Sequence, residues 1–335
     1  MATDRITVTI VVPVYSGAAY LARLVEEIEK ASAGWKRQDS PLELVEVIMV
    51  DDGSSDGSAE IMDMLGAKYP LLSPIHLSRN FGQHPATLAG ILHSSGDWVV
   101  TIDEDLQHPP SCIEDLFRVV SRNSDDVVYA RPTGKVHESV FRDASSRIYK
   151  RIMEKVSGNP NIKNFNSFRL IRGPLARAAA SVSGYDTYFD IALSWFTQRV
   201  GSLELDLKDE RFISSGTSGY KLLKLLSHAR RMLMSSGTKV VRGAALLGLF
   251  MLAVTSVFSL IILATKILHP QSIDSPGWTS LMLMTMFLGS GIVILIGAVL
   301  EYVATLVTSA HGKPMFYVVD RTKDKILSNY FSAMK

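Results

Sequence analysis

Two long stretches in the C-terminal third of the chain contain no charged residue. The first covers residues 243 to 264 and the second residues 278 to 300. A helix of about 20 apolar residues crosses the roughly 30 Å hydrocarbon core of a bilayer, and both stretches reach that length. The alternative is a pair of helices buried in a soluble core, where uncharged stretches this long rarely lie side by side. We therefore expect two transmembrane helices, over about 243–265 and 278–306.

The charges around these stretches predict their orientation. Basic residues lie on the outer sides of the pair, at Arg230, Arg231, Lys239 and Arg242 before it and at Lys313, Arg321, Lys323 and Lys325 after it. The connecting loop has Lys266, His269 and Asp274 as its ionisable residues. Since cytoplasmic flanks carry the excess of Lys and Arg, both ends are expected in the cytoplasm. The predicted order is a cytoplasmic domain over 1–219, an amphipathic juxtamembrane helix over 220–242, a transmembrane hairpin over 243–308 and a cytoplasmic tail over 309–335.

Composition excludes some functions. The 335 residues carry a formal net charge of +2, which argues against a nucleic-acid partner for the chain as a whole. Cys112 is the only cysteine. No internal disulfide and no cysteine metal cluster can therefore form, as suits a reducing cytosol.

The N-terminal domain alternates between two patterns. Runs rich in Val and Ile predict strands at "ITVTIVVP", "LVEVIMV", "PIHLS", "DWVVTI" and "DDVVYA". Between them, helical patterns cover about 18–32, 58–69, 85–93 and 110–121. This alternation predicts an α/β fold, in which a mostly parallel sheet has helices on both faces.

Distinctive residues mark the carboxyl ends of four of these strands. The first strand closes with Pro13, Val14 and Tyr15, and the others are followed by Asp51-Asp52-Gly53-Ser54, Ser78-Arg79-Asn80 and Asp103-Glu104-Asp105. Ligands of such sheets bind outside the carboxyl ends of the strands. The four strand ends are therefore expected to form one acidic rim that binds a ligand.

Asp103 and Asp105 are the candidate metal ligands. In an extended segment, residues two apart project to the same side, with Glu104 on the other. Two carboxylates directed at one point suit a hard cation such as Mg²⁺ or Mn²⁺, which completes its shell with substrate phosphates. The alternative is a solvated acidic loop.

"DDGSSDGS" has two interpretations. Asp, Gly and Ser dominate turns, so the segment is consistent with a turn of no further function. Its place on the rim favours a nucleotide pocket, in which Asp51 or Asp52 accepts a hydrogen bond from a base or ribose.

Several of these segments resemble, in order and spacing, the family 2 glycosyltransferases with the GT-A fold. They are "IVVPVYSG", "VDDGSSDGS", "LSRNFGQHPATLAGI", "GDWVVTIDEDLQHPP" and "FRLIRG". With the two apolar stretches and "GKPMFYVV", the chain is similar to the polyprenyl-phosphate glycosyltransferases. That group includes bactoprenol glucosyltransferases, aminoarabinose transferases of lipid A modification and dolichol-phosphate mannose synthases. The resemblance implies a Rossmann-like sheet flanked by helices in a cytoplasmic domain.

The resemblance also implies an activity. A nucleotide-sugar, expected to be UDP-linked, would donate its sugar with inversion to polyprenyl (undecaprenyl) phosphate, with Mg²⁺ or Mn²⁺ as cofactor. The product would supply cell-envelope glycan or lipopolysaccharide modification. The implied location is the bacterial inner membrane, multi-pass, with the catalytic domain in the cytoplasm, and relatives often form tetramers.

Residue roles carried over from the family are expectations too. Asp103 and Asp105 would bind the metal and the diphosphate, and Gln107 would lie beside the sugar. Arg169 and Arg211 are candidate phosphate clamps, with surface ion pairs as the alternative. The candidate residues for binding the donor are Pro13, Val14, Tyr15, Asp51, Asp52, Ser54, Asn80, Asp103 and Arg131.

The chain departs from the family pattern in four places. Ser16 and Gly17 replace the usual Asn-Glu, and Glu104 replaces a small residue. Ser167 stands where Asp usually precedes Phe-Arg-Leu, and Gly219 replaces a Lys.

The departure at Ser167 bears on the acceptor. A phosphate acceptor is already anionic at pH 7, so it tolerates Ser167, whereas a hydroxyl acceptor needs a general base. Asp190 is a weak candidate for that base. Two alternatives therefore stay open, namely a transferase to a sugar or lipid hydroxyl and a non-catalytic membrane protein that binds a nucleotide-sugar.

Overall fold

The computed structural model describes residues 5–133, 160–184, 187–205, 277–310 and 314–320, and separate helical positions between 248 and 268. Its strands are β1 Ile6–Val14, β2 Leu42–Asp51, β3 Leu72–His76, β4 Trp98–Thr101, β5 Val127–Pro132, β6 Arg169–Arg172 and β7 Val200–Leu205. Its helices are α1 Leu21–Arg37, α2 Ser58–Lys68, α3 Gln83–His93, α4 Ile113–Asn123, α5 Gly173–Val182, α6 Phe189–Phe196 and α7 Trp278–Ala310. Short 3₁₀ turns cover Pro110–Cys112 and Pro160–Asn164.

These strands form one mixed sheet in the order β3-β2-β1-β4-β6-β5-β7. In the part of the chain that the structure describes, β6 is antiparallel to both of its neighbours and the other six strands share one direction. The prediction of a mostly parallel α/β sheet is confirmed. Neither β6 nor β7 was predicted.

Helices cover both faces of the sheet, as the strand pattern predicted. Along β1, Val8, Ile10 and Val12 point into a core cluster shared with α1, α2 and α4. Val11 points to the opposite face, where α3, α5 and α6 supply the partners. Because alternate residues of β1 are apolar on both faces, the strand is buried in the middle of a three-layer structure.

The described part of the chain contains one helix that is long and apolar enough to cross a membrane. Within α7, residues Phe287–Ala304 have a mean hydropathy of 2.1, and 6% of this window is buried inside the structure. So little burial is unlike a core helix. The helix covers the predicted second span. The first predicted span falls largely on residues outside the described ones, so the pair of spans stays a prediction.

After α7 the chain contacts the edge of the sheet. Val318 forms an antiparallel bridge with Leu77, just after β3. The backbone N–H of Val319 donates to the carbonyl of His76, and the N–H of Ser78 donates to the carbonyl of Tyr317, both at 2.9 Å. This return segment, residues 314–320, therefore covers part of the exposed edge of β3, next to the end of β2.

Candidate active site at the carboxyl edge of the sheet

Asp103 follows β4 at the carboxyl edge of the sheet, and neutral groups hold its carboxylate. Oδ1 accepts a hydrogen bond from Gln83 Nε2 at 2.7 Å. Oδ2 accepts one from the Ser167 hydroxyl at 2.9 Å. Gln83 is the first residue of α3, and Ser167 lies just before β6. Two separate parts of the chain thus fix the orientation of one partly exposed carboxylate.

His108 supports the backbone of this site. Its Nδ1 accepts a hydrogen bond from the Asp103 N–H at 3.0 Å, so the proton of the neutral ring is on Nε2. Burial lowers the pKa of His108. The ring stacks on Phe168, with 5.1 Å between the centroids. Although Nδ1 is 3.7 Å from Asp103 Oδ2, a neutral imidazole contributes no positive charge there.

Asp105 is buried and is oriented by Gln107. The Gln107 side-chain amide donates to Asp105 Oδ2 at 3.0 Å, and the Gln107 N–H approaches Oδ1 at 3.4 Å. The structure therefore brings Gln107 into contact with Asp105, two of the residues predicted to form the site. The prediction that Asp103 to Asp105 form an extended segment was wrong, because the chain turns at Glu104. Leu106, with φ of 62°, completes this turn in the left-handed region.

These residues fit a hard divalent cation. The three partners of Asp103 named above are an amide, a hydroxyl and a neutral imidazole, so none of them neutralises the carboxylate. Within the described residues, no group of three or more His, Cys, Asp or Glu side chains could hold a metal by itself. Two carboxylates then require further oxygen ligands, and the phosphates of a bound substrate are the usual source for Mg²⁺.

Asp51, at the end of β2, has a different environment from Asp103. Its Oδ1 accepts from the Ser54 N–H at 2.8 Å, and its Oδ2 lies 3.3 Å from His76 Nδ1. Burial acts to raise the pKa of Asp51, but the hydrogen bonds from His76 and Ser54 outweigh it and hold the pKa below its usual value. The hydrogen bond with Asp51 is in turn the main cause that raises the pKa of His76, and Asp63, 3.1 Å from Nε2, adds to it.

Asp52 holds the loop that leads into α3. Its two carboxylate oxygens accept the N–H groups of Phe81 at 2.7 Å and Gly82 at 2.8 Å. Burial raises the pKa of Asp52, while these two donors act in the opposite sense. Because Gln83 follows this loop directly, Asp52 contributes indirectly to the position of Asp103. Contact of either Asp51 or Asp52 with a nucleoside stays a prediction.

Gly53 lets the loops after β2 and β3 approach closely. Its φ is +71°, and a Cβ here would lie 2.8 Å from the backbone nitrogen of Asn80. Beside it, the Ser54 hydroxyl is buried without a hydrogen-bond partner among the described residues. A buried hydroxyl in this state is rare unless a ligand or water completes it. Exposed Asn80 lies on the same side of the rim.

The other predicted residues are divided between the strands and the rim. Pro13 and Val14 are buried within β1, whereas Tyr15 is 49% exposed where β1 ends. Arg131 lies on β5, and its guanidinium is 3.9 Å from Glu204 of β7. Arg211 and Gly219 lie outside the described residues, as does the predicted juxtamembrane helix.

Arg169 is buried in an ion pair. Its guanidinium donates to Asp190 Oδ1, which also accepts from the Tyr129 hydroxyl at 2.7 Å. Burial, together with the Asp190 carboxylate, raises the pKa of Tyr129 well above its usual value. Arg169 Nε has no hydrogen-bond partner among the described residues. With Arg169 6% and Asp190 4% exposed, this cluster joins β5, β6 and α6 beneath the rim.

The sequence interpretation missed three residues that shape the site. Gln83 and His108 contact Asp103, and their signal was only their place inside "NFGQHP" and "DLQHPP". Ser167 was noted as a departure, but its contact with Asp103 could not be read from a separation of 64 residues.

Comparison with known proteins places the chain in a family. The model for "Glycosyl transferase family 2" matches residues 9–184, which is more than half of the chain. The chain therefore belongs to glycosyl transferase family 2 and is a glycosyltransferase, as the motifs predicted.

Two relatives match almost the whole chain. The chain is 28% identical over 314 residues to the undecaprenyl-phosphate 4-deoxy-4-formamido-L-arabinose transferase of Serratia proteamaculans (strain 568), covering 93% of this chain and 92% of the relative. Identity and coverage are the same for the protein of that name from Yersinia enterocolitica serotype O:8. Among solved structures, the mannosyl-3-phosphoglycerate synthase from Rubrobacter xylanophilus superposes with a TM-score of 0.49 and 16% identity, over 71% of this chain and 74% of that one.

Proposed function

We propose that this glycosyltransferase moves a sugar from a nucleotide-sugar to undecaprenyl phosphate at the cytoplasmic face of a bacterial inner membrane. The observation that carries the proposal is the Asp103 carboxylate, oriented at the carboxyl edge of the sheet by Gln83 and Ser167. The two relatives whose names include undecaprenyl phosphate cover 93% of the chain, which supports this acceptor. The lipid-linked sugar would supply envelope glycan or lipopolysaccharide modification.

Asp103 and Asp105 would hold Mg²⁺ or Mn²⁺ in this account. Such a cation, when bound, neutralises charge on the departing nucleoside diphosphate. Gln107 keeps Asp105 oriented through its side-chain amide, and Gln83 and Ser167 do the same for Asp103. Because these donors are in place before substrate binds, little reorganisation is needed during transfer. Ser54, Asn80 and Tyr15 are the rim residues best placed to contact a UDP-linked donor.

The buried ion pair favours a phosphate acceptor over a hydroxyl acceptor. A hydroxyl nucleophile needs a general base within hydrogen-bond reach. The candidate, Asp190, is 4% exposed and is occupied by Arg169 and Tyr129. Ser167, which replaces the usual Asp, is a hydrogen-bond donor to Asp103 and supplies no base. A phosphate acceptor is already anionic at pH 7, so it needs positioning more than deprotonation. Attack from the face opposite the leaving diphosphate would invert the anomeric centre.

The acceptor also accounts for the membrane segments. Polyprenyl phosphate keeps its chain in the bilayer, so the rim must lie near the headgroups. Helix α7 would anchor the domain, and the return segment 314–320 joins the end of that helix to the edge of β3. We propose that 243–265 forms the second anchor of a hairpin with both ends in the cytoplasm.

The direct test is product formation by the purified full chain in detergent. It would be incubated with undecaprenyl phosphate, Mn²⁺ or Mg²⁺ and a panel of nucleotide-sugars, and glycosylated lipid phosphate would be sought by mass spectrometry. We expect a product with one donor, lost in Asp105→Ala and retained in Asp115→Asn, a matched change at an exposed carboxylate on α4.

Two results would count against the proposal. A glycosylated product from a lipid or sugar hydroxyl, with none from undecaprenyl phosphate, would establish the hydroxyl alternative. Binding of a nucleotide-sugar with no transfer to any acceptor would indicate the non-catalytic alternative.

A further inference from the structure

We infer that Glu104 is a positioning residue for the donor, because its carboxylate fixes the turn after β1 instead of joining Asp103 and Asp105 as a metal ligand. This inference rests on the proposed function and assigns a role to the middle residue of the acidic triplet. It also joins two departures from the family pattern, at Gly17 and Glu104, into one structural feature.

Glu104 faces the N-terminal turn. Its carboxylate Oε2 accepts the backbone N–H of Tyr15 at 2.6 Å, a bond between residues 89 positions apart in the sequence. Glu104 is 6% exposed, and its bond to the Tyr15 N–H is charge-assisted, which makes it stronger than a hydrogen bond between neutral groups. The two neighbouring carboxylates have different partners, Gln83 and Ser167 for Asp103 and Gln107 for Asp105.

Gly17 leaves the space that Glu104 occupies. A Cβ at residue 17 would lie 2.6 Å from Glu104 Oε2 and 2.9 Å from its Cδ, closer than real Cβ contacts come. A side chain at position 17 and the present position of Glu104 therefore exclude each other. In the family that the sequence resembles, position 17 commonly carries a carboxylate and position 104 is small, whereas in this chain the carboxylate of Glu104 lies next to Gly17.

The turn is fixed from two sides. The Gly17 N–H donates to the Ser58 hydroxyl at 3.0 Å, at the start of α2. Between the two bonds, Ser16 has a φ of 68°, a left-handed conformation that a residue other than glycine adopts at a cost. Glu104 on one side and Ser58 on the other hold the backbone in that conformation.

This arrangement connects the donor turn to the metal carboxylate. Tyr15 is exposed on the rim, and Glu104 is the direct neighbour of Asp103 in the chain. A cation at Asp103 and a nucleoside at Tyr15 would therefore bind to two chain segments that the Glu104 side chain joins. Loss of the Glu104 contact would weaken donor binding without removing a metal ligand.

Four variants test the geometry without a ligand: Glu104→Gln, Glu104→Ala, Gly17→Glu and the double change Gly17→Glu/Glu104→Ala. Hydrogen exchange of the 15–17 amides is measured in the full chain. We expect protection in Glu104→Gln, whose amide oxygen still accepts, and at least tenfold faster exchange in Glu104→Ala. The double variant should exchange more slowly than Gly17→Glu alone, because removal of the Glu104 side chain frees the volume.

Titration with UDP and Mn²⁺, followed by calorimetry, tests the role. Glu104→Ala should weaken UDP binding about tenfold, as expected for loss of a buried bond to a charged group. Glu104→Gln should stay within about threefold of the wild type, because a neutral acceptor keeps part of that bond. The double variant should bind at least tenfold more tightly than Gly17→Glu. The Mn²⁺ concentration for half-saturation should be unchanged in Glu104→Gln.

Three outcomes would overturn this role. If Glu104→Gln raises the Mn²⁺ requirement as Asp103→Asn does, Glu104 is a metal ligand. Equal UDP binding by all variants would show that the turn does not position the donor. If the wild type binds neither UDP nor any nucleotide-sugar of the panel, the proposed function fails and this role with it.

Discussion

The carboxylates after β2 and those after β4 occupy the same edge of one sheet, yet their surroundings differ. Asp51 lies against the ring of His76, and Asp52 accepts two backbone N–H groups. Asp103 is held by an amide and a hydroxyl and keeps its charge uncompensated by them. Asp51 and Asp52 thus build loops, whereas Asp103 is the carboxylate placed to bind the proposed cation. The partners, rather than the residue type, distinguish the two.

The two sets are also connected. Asp52 fixes the loop at Phe81 and Gly82, and the next residue, Gln83, orients Asp103. The β2 carboxylate therefore supports the β4 carboxylate through three consecutive residues. We therefore expect changes at Asp52 mainly to lower the stability of the protein, and changes at Asp103 mainly to lower its transfer activity.

The largest effect is expected at Asp103. Asp103→Asn keeps the shape but removes the charge that a divalent cation requires, so transfer should fall about 10³-fold. The melting temperature should change little, because the partners of residue 103 are neutral groups and no ion pair is lost. Initial rates of lipid-phosphate glycosylation are compared with those of Asp115→Asn. A rate within about fivefold of the wild type would contradict the metal role proposed for Asp103, since metal sites normally contribute several kcal/mol.

The opposite behaviour is expected at Asp52. Asp52→Ala leaves the N–H groups of Phe81 and Gly82 without their acceptor, which should cost about 3 kcal/mol. In a chain of this size the melting temperature should fall by about 6 °C or more. Differential scanning fluorimetry in detergent measures it, with Asp115→Ala as control. An unchanged melting temperature would show that the loop holds without Asp52.

A change at Ser167 should have a smaller effect than the changes at Asp103 and Asp52. Ser167→Ala removes one hydrogen bond to Asp103, worth about 1 kcal/mol, so the Mn²⁺ concentration for half-maximal activity should rise about fivefold. Ser121→Ala on exposed α4 is the matched control, because its hydroxyl bonds only within its own helix turn. An unchanged Mn²⁺ requirement would show that Ser167 does not support the proposed metal ligand Asp103.

The smallest effect concerns pH. The folded-state pKa of His76 is raised, chiefly by Asp51. Its contribution to stability is therefore fully present below its ordinary pKa of about 6.5 and is lost as the pH rises through the folded value. The melting-temperature gap between the wild type and His76→Gln should be about 2 °C larger near pH 5.5 than near pH 9. A gap that is larger at high pH would contradict the assigned ion pairs.

The central strands and the rim could be predicted from the sequence, because long apolar runs followed by Asp and Gly have few other interpretations. Strand β6 was not predicted, because its four residues, with Arg at both ends, are too few to show a periodic pattern. The burial of Arg169 depends on Asp190, 21 residues away, and no local pattern encodes that pair. The contact of Glu104 with Tyr15 and Gly17 likewise depends on three-dimensional proximity.

The most direct test of the account is a Mn²⁺ titration in the presence of UDP, with free Mn²⁺ followed by electron paramagnetic resonance. The wild type is compared with Asp103→Asn and with Asp63→Asn. Asp63 is a carboxylate on α2 that contacts His76. We expect tight Mn²⁺ binding to be lost in Asp103→Asn and retained in Asp63→Asn. Retention of tight Mn²⁺ binding in Asp103→Asn, or its loss in a folded Asp63→Asn, would contradict the assignment of the metal to the carboxylates that follow β4.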